Sequence, residues 1–482
     1  MLSILVCHAY FQRFDLKQQQ RAKPYPPLAT LQVASLLRNG GHRVALFDAI
    51  LAEDYSGFER QIEEFRPQLV VLYEDNYNFL SKMCLGRMRR AACDMISIAH
   101  SRGVRVLAAG SDASDAPGHY LNAGADAVLH GEALATLAAM IDRLNGDWRM
   151  DVKRLAEGLP GISIPGPTGA QQSACTVRLP EPALAELPAW DLIDIEEYRR
   201  VWMRAHGYFS LNMASSRGCS FRCNWCAKPI WGNQYLQRRP RETAAEMIHL
   251  RERYRPDHIW FADDIFGFRV DWVDEFAEAL AAGGGGVPFT IQLRADLVSA
   301  RMADALRRAG CREIWIGAES GSQKILDAMN KGTHVAQIRE ARQLLGAAGM
   351  RVGFFLQLGY LGEELEDILA TRRLVEEARP DDVGVSVSYP LPGTKFYETV
   401  RQQMGDKTHW LESNDLEMMF SGTYRSDFYR AVRDLLHDEI GEAQSPDLKQ
   451  RWARLMDNEA AYRQEAVPLA GALKAPVREV SL

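Results

Sequence analysis

Short apolar runs alternate with helical patterns along two successive stretches of this chain. In the first stretch, residues 1–145, the runs cover residues 2–7, 43–48, 69–73, 104–109 and 127–130. This alternation is typical of a parallel sheet with helices on both faces, because parallel strands need a crossover connection that is usually a helix. We therefore predict an α/β fold that begins with a doubly wound parallel sheet. Ligands of such sheets bind beyond the carboxyl ends of the strands.

The second stretch, residues 206–394, holds six further apolar runs. They cover residues 210–215, 258–262, 289–293, 313–316, 352–357 and 383–388. Helical patterns separate the runs, and polar or glycine residues gather just after them. Six such units predict a partial (β/α)6 barrel, whose catalytic face is the edge where the strands end.

The other two segments are assigned from their composition. Residues 146–205 contain prolines that break any long element, so we predict a linker with a few short elements. Residues 395–482 are helical and rich in aromatic side chains, and we expect this C-terminal region to pack over the mouth or edge of the barrel. Without the linker, three segments remain, which agrees with the roughly two to three domains that a length of 482 residues predicts.

The charge of the chain excludes some partners. There are 57 Lys and Arg against 63 Asp and Glu, a formal net charge of −6, which offers no field that would attract nucleic acid. No window approaches the roughly 18 continuous apolar residues of a membrane helix. Residues 1–7 are predicted as a first strand rather than as a signal peptide. We therefore expect a cytoplasmic protein with no nucleic-acid partner and no membrane span.

Three of the eight cysteines, Cys219, Cys223 and Cys226, lie close together directly after the first barrel strand. This clustering suits a metal site in a reducing compartment better than a disulfide framework. Structural zinc usually needs four Cys or His ligands, and the nearest histidines, His206 and His249, fit no common zinc spacing. Three thiolates on a cubane iron–sulfur cluster would leave one iron open for another ligand. The sequence therefore favours a [4Fe-4S] cluster over zinc and over three unligated thiols.

The stretch from Cys219 to Cys226 reads CxxxCx(aromatic)C, with Trp225 at the aromatic position. In this motif the chain resembles the radical S-adenosylmethionine (SAM) superfamily. The resemblance implies that the open iron binds the amino and carboxylate groups of SAM, and that one electron from the cluster cleaves SAM to a 5′-deoxyadenosyl radical. It also implies an electron donor such as flavodoxin or ferredoxin. The cofactor carries this chemistry, while the protein orients it and excludes water.

Residues at later strand ends match the same superfamily. Asp263 and Asp264 follow the second barrel strand, either as acceptors for the SAM ammonium group or as helix caps. Arg294 ends the third strand, where it would pair with the SAM carboxylate or with Asp296. The residues that we expect to contact the ribose, amino group or adenine of SAM at the remaining strand ends are Glu319, Ser320, Gln357, Gly359 and Tyr389.

A doubly wound domain ahead of such a barrel resembles the cobalamin-binding branch of the superfamily. The residues that match this branch after the fourth and fifth strands are Gly110, Ser111, Gly131 and Glu132. The DxHxxG motif, which supplies an axial histidine in other cobalamin proteins, is absent. His8 is an alternative metal ligand, although a lone histidine at a strand end is more often a satisfied loop residue. A domain that has kept this fold without the cofactor stays an alternative.

Within that branch, residues 224–230, 258–267, 314–326 and 386–394 most resemble the anaerobic magnesium-protoporphyrin monomethyl ester cyclase group. This implies hydrogen abstraction from an unactivated carbon and a cyclase-like oxidation of a tetrapyrrole-like or other large apolar small molecule. The side chains that would floor a flat pocket, or simply pack in the core, are Trp231, Tyr235, Tyr360 and Trp410. Relatives with the same two domains mainly transfer a methyl group from methylcobalamin, so C-methyl transfer is the first alternative.

Two alternatives from other classes lack supporting features. A tRNA methylthiotransferase should bring a second cysteine trio in its N-terminal domain, but Cys7, Cys84 and Cys93 show no ligand spacing. A cluster-bearing sensor would not need the series of polar strand ends described above. The sequence therefore favours an enzyme that acts on a small molecule.

Overall fold

The computed structural model describes residues 1–78, 83, 85–166, 169–172, 187–226, 234–405, 410, 416–442 and 445–464. Cys84 and Trp231, which were considered above, lie outside these ranges. So do parts of the predicted linker and of the predicted C-terminal region.

The strands of the described chain form two sheets and a hairpin. In chain order they are β1 (Ser3–Cys7), β2 (Arg43–Phe47), β3 (Leu69–Tyr73), β4 (Arg105–Ala109), β5 (Ala127–Leu129), β6 (Ile162–Gly166), β7 (Gly169–Gln172), β8 (Ser210–Met213), β9 (Ser216–Gly218), β10 (Tyr235–Gln237), β11 (His258–Phe261), β12 (Phe289–Leu293), β13 (Cys311–Glu319), β14 (Arg351–Leu358) and β15 (Asp382–Val387).

The N-terminal sheet has the order β2-β1-β3-β4-β5-β6-β7. Its first five strands in chain order are parallel, and each forms from one of the five predicted apolar runs. Strands β6 and β7 add to the sheet in antiparallel fashion. These two strands lie inside the segment predicted as a linker, so the sheet extends past residue 145.

Each face of the N-terminal sheet buries a separate apolar core. Ile4 and Val6 belong to one core, while Leu5 and Cys7 belong to the other, because successive residues of a strand point to opposite faces. The core around Ile4 and Val6 continues without a break into the rest of the chain. The sheet is therefore doubly wound, as predicted, and one of its faces shares its core with the barrel.

Helices cover both sheets and fill the C-terminal region. Those that the structure describes are Leu16–Arg21, Leu28–Asn39, Ser56–Phe65, Gly86–Ser101, Ser111–Asp115, Pro117–Asn122, Leu134–Gly146, Val152–Ala156, Ile195–His206, Pro240–Tyr254, Val270–Ala282, Ala300–Ala309, Gln323–Ala328, Val335–Ala347, Leu365–Ala378, Lys395–Val400, Ser426–Glu442, Pro446–Asp457 and Glu459–Tyr462.

The second sheet contains six strands in the order β8-β11-β12-β13-β14-β15, and all of its pairings are parallel. This confirms the predicted partial barrel, since each strand forms from one of the six predicted runs. Between β8 and β11 lies an antiparallel hairpin, in which Tyr235 of β10 pairs with Gly218 of β9. The hairpin brings the start of the cysteine loop to the carboxyl end of β8.

A proline-rich loop of the N-terminal domain contacts the first barrel strand and the helix before it. The Pro24 carbonyl accepts a hydrogen bond from Trp202 Nε1 at 2.7 Å, and the Pro26 carbonyl accepts one from Asn212 Nδ2 at 2.9 Å. Between them, Tyr25 Oη lies 3.1 Å from Ser210 Oγ. These buried contacts fix the N-terminal domain against β8.

The C-terminal region packs against the barrel next to the carboxyl end of β14. Phe396 stacks on Tyr360 with ring centroids 4.9 Å apart, and Phe420 meets the Phe396 ring edge-on at 5.2 Å. The described part of this region therefore covers the end of β14. Among the described helices, none combines the length and the apolar character that a membrane span requires.

Candidate active site

The barrel holds the cysteine loop close to its last cysteine. Asn224, between Cys223 and Cys226, donates from its backbone N–H to the Met329 carbonyl at 3.0 Å and from Nδ2 to the Ala328 carbonyl at 2.7 Å. Its Oδ1 accepts a hydrogen bond from Tyr360 Oη at 2.8 Å. Tyr360, which the sequence left open as a pocket aromatic or a core residue, therefore anchors this loop.

The surroundings of the three thiols suit a cluster. Cys219 is buried, and Cys223 and Cys226 are half-buried. Across the described ranges, no three His, Cys, Asp or Glu side chains gather closely enough to hold one metal ion. A cubane needs no such convergence, because its thiolates bind different irons. Trp225 Nε1 is a buried donor that has no hydrogen-bond partner among the described residues.

A buried ion pair lies at the end of β13. Lys331 Nζ donates to Glu319 Oε1 at 2.7 Å, and each side chain is only 7% exposed. Burial alone lowers the pKa of Lys331, but the charges of Glu319 and Cys223 more than offset this and raise that pKa above its usual value. Glu319 has a φ of 59°, a left-handed conformation that costs a non-glycine residue about 1–3 kcal/mol. Such strain is typical of functional positions.

Sequence reasoning identified Glu319 but missed Lys331. Lys331 does not follow a strand, since it comes after the short helix Gln323–Ala328 and a turn through Asn330. The available signal was a lysine and a glycine in a polar turn, which is too common to single out.

The two aspartates after β11 differ in their surroundings. Asp263 is buried and accepts hydrogen bonds from the Ser215 backbone N–H, from Ser215 Oγ and from Ser216 Oγ. Burial raises the pKa of Asp263 to about 6, against the lowering by these hydrogen bonds. Asp264 is exposed. The contacts of Asp263 fix the turn from β8 into the hairpin, whereas Asp264 has the access that a ligand contact needs.

Other predicted strand-end residues are engaged with the protein. Ser320 Oγ lies 3.1 Å from Thr371 Oγ1, and Gln357 Nε2 donates to Ser388 Oγ at 3.0 Å. The backbone N–H of Gly359 donates to the buried Glu363 carboxylate at 2.6 Å. The remaining one, Tyr389, is half-buried and packs edge-on against Trp410 with ring centroids 4.6 Å apart. Of these residues, Tyr389 has the greatest access to a ligand.

The carboxyl end of the N-terminal sheet holds a polar network around Glu132. This carboxylate accepts hydrogen bonds from Tyr73 Oη at 3.0 Å and from Asn76 Nδ2 at 3.1 Å. At the neighbouring strand, a Cβ on Gly110 would lie 2.7 Å from the Glu74 Cβ, so only glycine fits there. Glu74 Oε2 and Asn76 Oδ1 are buried without a hydrogen-bond partner among the described residues. Two orphaned acceptors therefore lie close in sequence after β3.

The other residues of this edge are held by the domain itself. The N–H of Gly131 donates to Ser114 Oγ at 2.9 Å, and Ser111 is buried at the start of the helix Ser111–Asp115. His8 is fully buried, with Nε2 at 3.1 Å from Asp48 Oδ1. His8 is thus a satisfied loop residue, as one of the two interpretations of the sequence had it.

Arg217 connects the two halves of the site. It lies two residues before Cys219, and it donates from Nη2 to Gln32 Oε1 at 2.6 Å and from Nε to Tyr77 Oη at 3.1 Å. The charge of Glu132 also acts on this buried guanidinium. The cysteine loop therefore lies next to the carboxyl end of the N-terminal sheet, which is called its ligand edge below.

Glu74 allows a test of this edge by pH. Burial raises the pKa of Glu74 to about 7, so the folded chain keeps a proton that the unfolded chain loses near its ordinary pKa. The stability of the chain therefore falls by up to roughly 3 kcal/mol as the pH rises from about 4.5 to 7. Glu74→Gln removes this contribution, so thermal unfolding should show the variant gaining on the parent chain between pH 5 and 8. If the stability difference between Glu74→Gln and the parent chain is the same at pH 5 and at pH 8, the prediction is wrong.

Comparison with protein families identifies the class. Residues 213–375 match the profile described as the radical SAM superfamily. The chain therefore carries the radical SAM domain, which implies a [4Fe-4S] cluster and SAM and confirms that prediction from the cysteine motif.

Curated relatives extend the likeness to both domains. An uncharacterized methyltransferase of Pyrococcus horikoshii is 23% identical over 77% of this chain and 78% of its own length. The anaerobic magnesium-protoporphyrin IX monomethyl ester cyclase of Rubrivivax gelatinosus is 24% identical over 58% of this chain and 49% of its own length. The match to the methyltransferase is therefore the more extensive of these two.

Solved structures show the same fold. The radical SAM methyltransferase TsrM from Kitasatospora setae, determined with cobalamin and a [4Fe-4S] cluster, has a TM-score of 0.65 at 18% identity, over 84% of this chain and 79% of that one. The cobalamin-dependent radical SAM enzyme OxsB, determined with aqua-cobalamin and SAM, has a TM-score of 0.68 at 16% identity, over 96% of this chain and 71% of that one. The arrangement of an α/β domain, a barrel and a helical C-terminal region is thus shared.

Proposed function

We propose that this chain is a cobalamin-dependent radical SAM enzyme that transfers a methyl group to an unactivated carbon of a small molecule. The observation that carries the proposal is the pair of orphaned acceptors, Glu74 Oε2 and Asn76 Oδ1, at the ligand edge of a sheet that Arg217 joins to the cysteine loop. The more extensive match to the methyltransferase of Pyrococcus horikoshii supports methyl transfer over cyclisation.

The residues at this edge fit cobalamin. The rim of the corrin carries primary amides, whose N–H groups suit the buried Asn76 Oδ1 and whose N–H and carbonyl groups suit the buried Glu74 carboxyl group in either protonation state. His8 is committed to Asp48, and the sequence holds no DxHxxG motif, so the fit is to a cobalamin without a histidine ligand from this edge.

The chain supplies the positions of the reacting groups. When bound, the cluster supplies the electron that cleaves SAM, and cobalamin supplies the methyl group. Three cysteines would hold the cluster, and the Lys331–Glu319 pair would present a fixed carboxylate near Cys223. Arg217 joins the cysteine loop to the N-terminal domain. The proline-rich loop at residues 24–27 holds the N-terminal domain against the helix Ile195–His206 and β8.

A cyclase-like oxidation of a tetrapyrrole-like substrate is the second candidate. It is favoured by the match to the Rubrivivax gelatinosus cyclase, and the half-buried Tyr389 beside Trp410 offers an aromatic surface for a flat substrate. In either case the electron would come from a donor such as flavodoxin or ferredoxin.

Cobalamin retention tests the proposal. After anaerobic reconstitution with cobalamin, the chain should keep about one cobalamin through gel filtration, measured by its visible absorption. Asn76→Leu removes an orphaned acceptor and should weaken retention about tenfold, because one hydrogen bond to a neutral amide contributes about 1 kcal/mol and the larger apolar side chain obstructs the rim. Asn39→Leu, at an exposed asparagine, is the matched control. A parent chain that emerges with iron–sulfur absorption alone would end the cobalamin proposal.

The reaction type has its own readout. With cobalamin, SAM and a low-potential reductant, a methyltransferase releases S-adenosylhomocysteine as well as 5′-deoxyadenosine, whereas a cyclase-like enzyme releases only the latter. Retained cobalamin with no S-adenosylhomocysteine would turn the assignment to the second candidate.

A further inference from the structure

Arg294, at the end of β12, has one edge of its guanidinium fully occupied. Nε and Nη2 each donate to a different oxygen of Asp296 at 2.9 Å, and Nη2 also donates to the Lys331 carbonyl at 2.7 Å and to Thr333 Oγ1 at 3.0 Å. The side chain is only 5% exposed. The sequence allowed either a partner in SAM or Asp296, and this edge is paired with Asp296.

The other edge of the guanidinium faces the cysteine loop. Nη1 lies 3.7 Å from Cys223 Sγ, within hydrogen-bond range for sulfur. The guanidinium carbon also lies 3.6 Å from the centroid of the Phe221 ring, and Phe221 sits between Cys219 and Cys223. Arg294 therefore touches a predicted cluster ligand and the residue that spaces two of the ligands.

We propose that Arg294 is a positioning residue that donates an N–H to the Cys223 sulfur and sets the reduction potential of the cluster. In this proposal Arg294 does not bind the carboxylate of SAM. The proposal rests on the radical SAM assignment and is independent of cobalamin. Reduction adds one negative charge to the cluster, so a nearby cation and a hydrogen bond to sulfur stabilise the reduced state. The potential then rises.

The charges around Cys223 make the direction of each change predictable. Arg294 and Lys331 are the cations, and Asp296 and Glu319 are the anions, so these four groups sum to zero. Removing the cation leaves a net negative charge beside the cluster, and removing the anion leaves a net positive one. Arg294→Met should therefore lower the reduction potential, while Asp296→Asn should raise it.

The test is a redox titration of anaerobically reconstituted protein, followed by the electron paramagnetic resonance signal of the reduced cluster. At the midpoint of the parent chain, we expect the ratio of reduced to oxidised cluster to fall about tenfold in Arg294→Met and to rise in Asp296→Asn; tenfold equals 59 mV for one electron. Arg294→Lys keeps the positive charge but lacks the planar guanidinium group. Its reduction midpoint should therefore lie between those of the parent and Arg294→Met. The matched control is Arg301→Met, at an exposed arginine on a barrel helix, which should keep the parent midpoint.

Two results would overturn the proposal. One is an unchanged midpoint in Arg294→Met with full iron content, above all if SAM binding weakens at least tenfold, because that is the behaviour of a carboxylate clamp. The second result applies if Arg294→Met does not take up the cluster. In that case, reduction midpoints of Asp296→Asn and Arg294→Lys that equal the parent midpoint would overturn the proposal. A parent chain that binds no cluster would instead refute the radical SAM assignment.

Discussion

Cys223→Ala is expected to give a folded chain that holds little iron and forms 5′-deoxyadenosine only at background level. In the proposed site three thiolates would hold the cluster, and the loss of one of them would leave two irons without a protein ligand. The backbone of the loop should survive, because Asn224 is bound through its own amide groups to the Ala328 and Met329 carbonyls and to Tyr360. Iron content, visible absorption and product chromatography after anaerobic reconstitution measure the effect.

A second cysteine provides the control for that experiment. Cys93 is half-buried on the helix Gly86–Ser101, far in sequence from the loop, and Cys93→Ala should keep full iron content and full SAM cleavage. Equal iron in Cys223→Ala and in the parent chain would mean that these thiols are not the cluster ligands.

Lys331→Met is expected to have the second largest effect. The change leaves the Glu319 carboxylate buried and unpaired, which costs about 3–5 kcal/mol of folding stability. We expect SAM cleavage to fall at least about a hundredfold, because Glu319, which we propose as a contact to SAM, would no longer be held in place by its partner. Denaturant unfolding and the rate of 5′-deoxyadenosine formation measure the two effects separately.

Two further variants separate stability from function at Lys331. Lys324→Met is the matched control: Lys324 also pairs with a carboxylate, Asp367 at 2.7 Å, but it is 59% exposed, and exposed pairs contribute only about 0–1 kcal/mol. The double change Lys331→Met with Glu319→Gln removes the unpaired charge and should recover stability without activity. Recovery of both in the double variant would show that the pair is structural only.

The strands were predictable because their signal is local. Eleven apolar runs became eleven parallel strands, since a strand buried on both faces is apolar along its whole length. Four strands were not predicted. Ile162–Gly166 and Gly169–Gln172 are short and contain proline, glycine and glutamine, and they form at the sheet edge, where the first pairs with β5 and the second pairs with the first. Ser216–Gly218 and Tyr235–Gln237 pair with each other in the hairpin. Their signal lies in the tertiary structure.

The candidate site was predictable in part for the same reason. Cys219, Cys223 and Cys226 are identified by spacing within one loop, which the sequence displays directly. Arg217 and Lys331 were missed because their partners, Gln32 and Glu319, are fixed by the fold and not by proximity along the chain. Such pairings become visible only once the domains are packed.

The apolar core that runs from Ile4 into the barrel limits how the two domains can be separated. A catalytic barrel cut away from its N-terminal partner would expose the surface at Trp202 and would lose the grip of Gln32 on Arg217, next to Cys219. An N-terminal domain taken from another protein would therefore fit this barrel only if it restored the apolar contact at Trp202 and the hydrogen bond to Arg217.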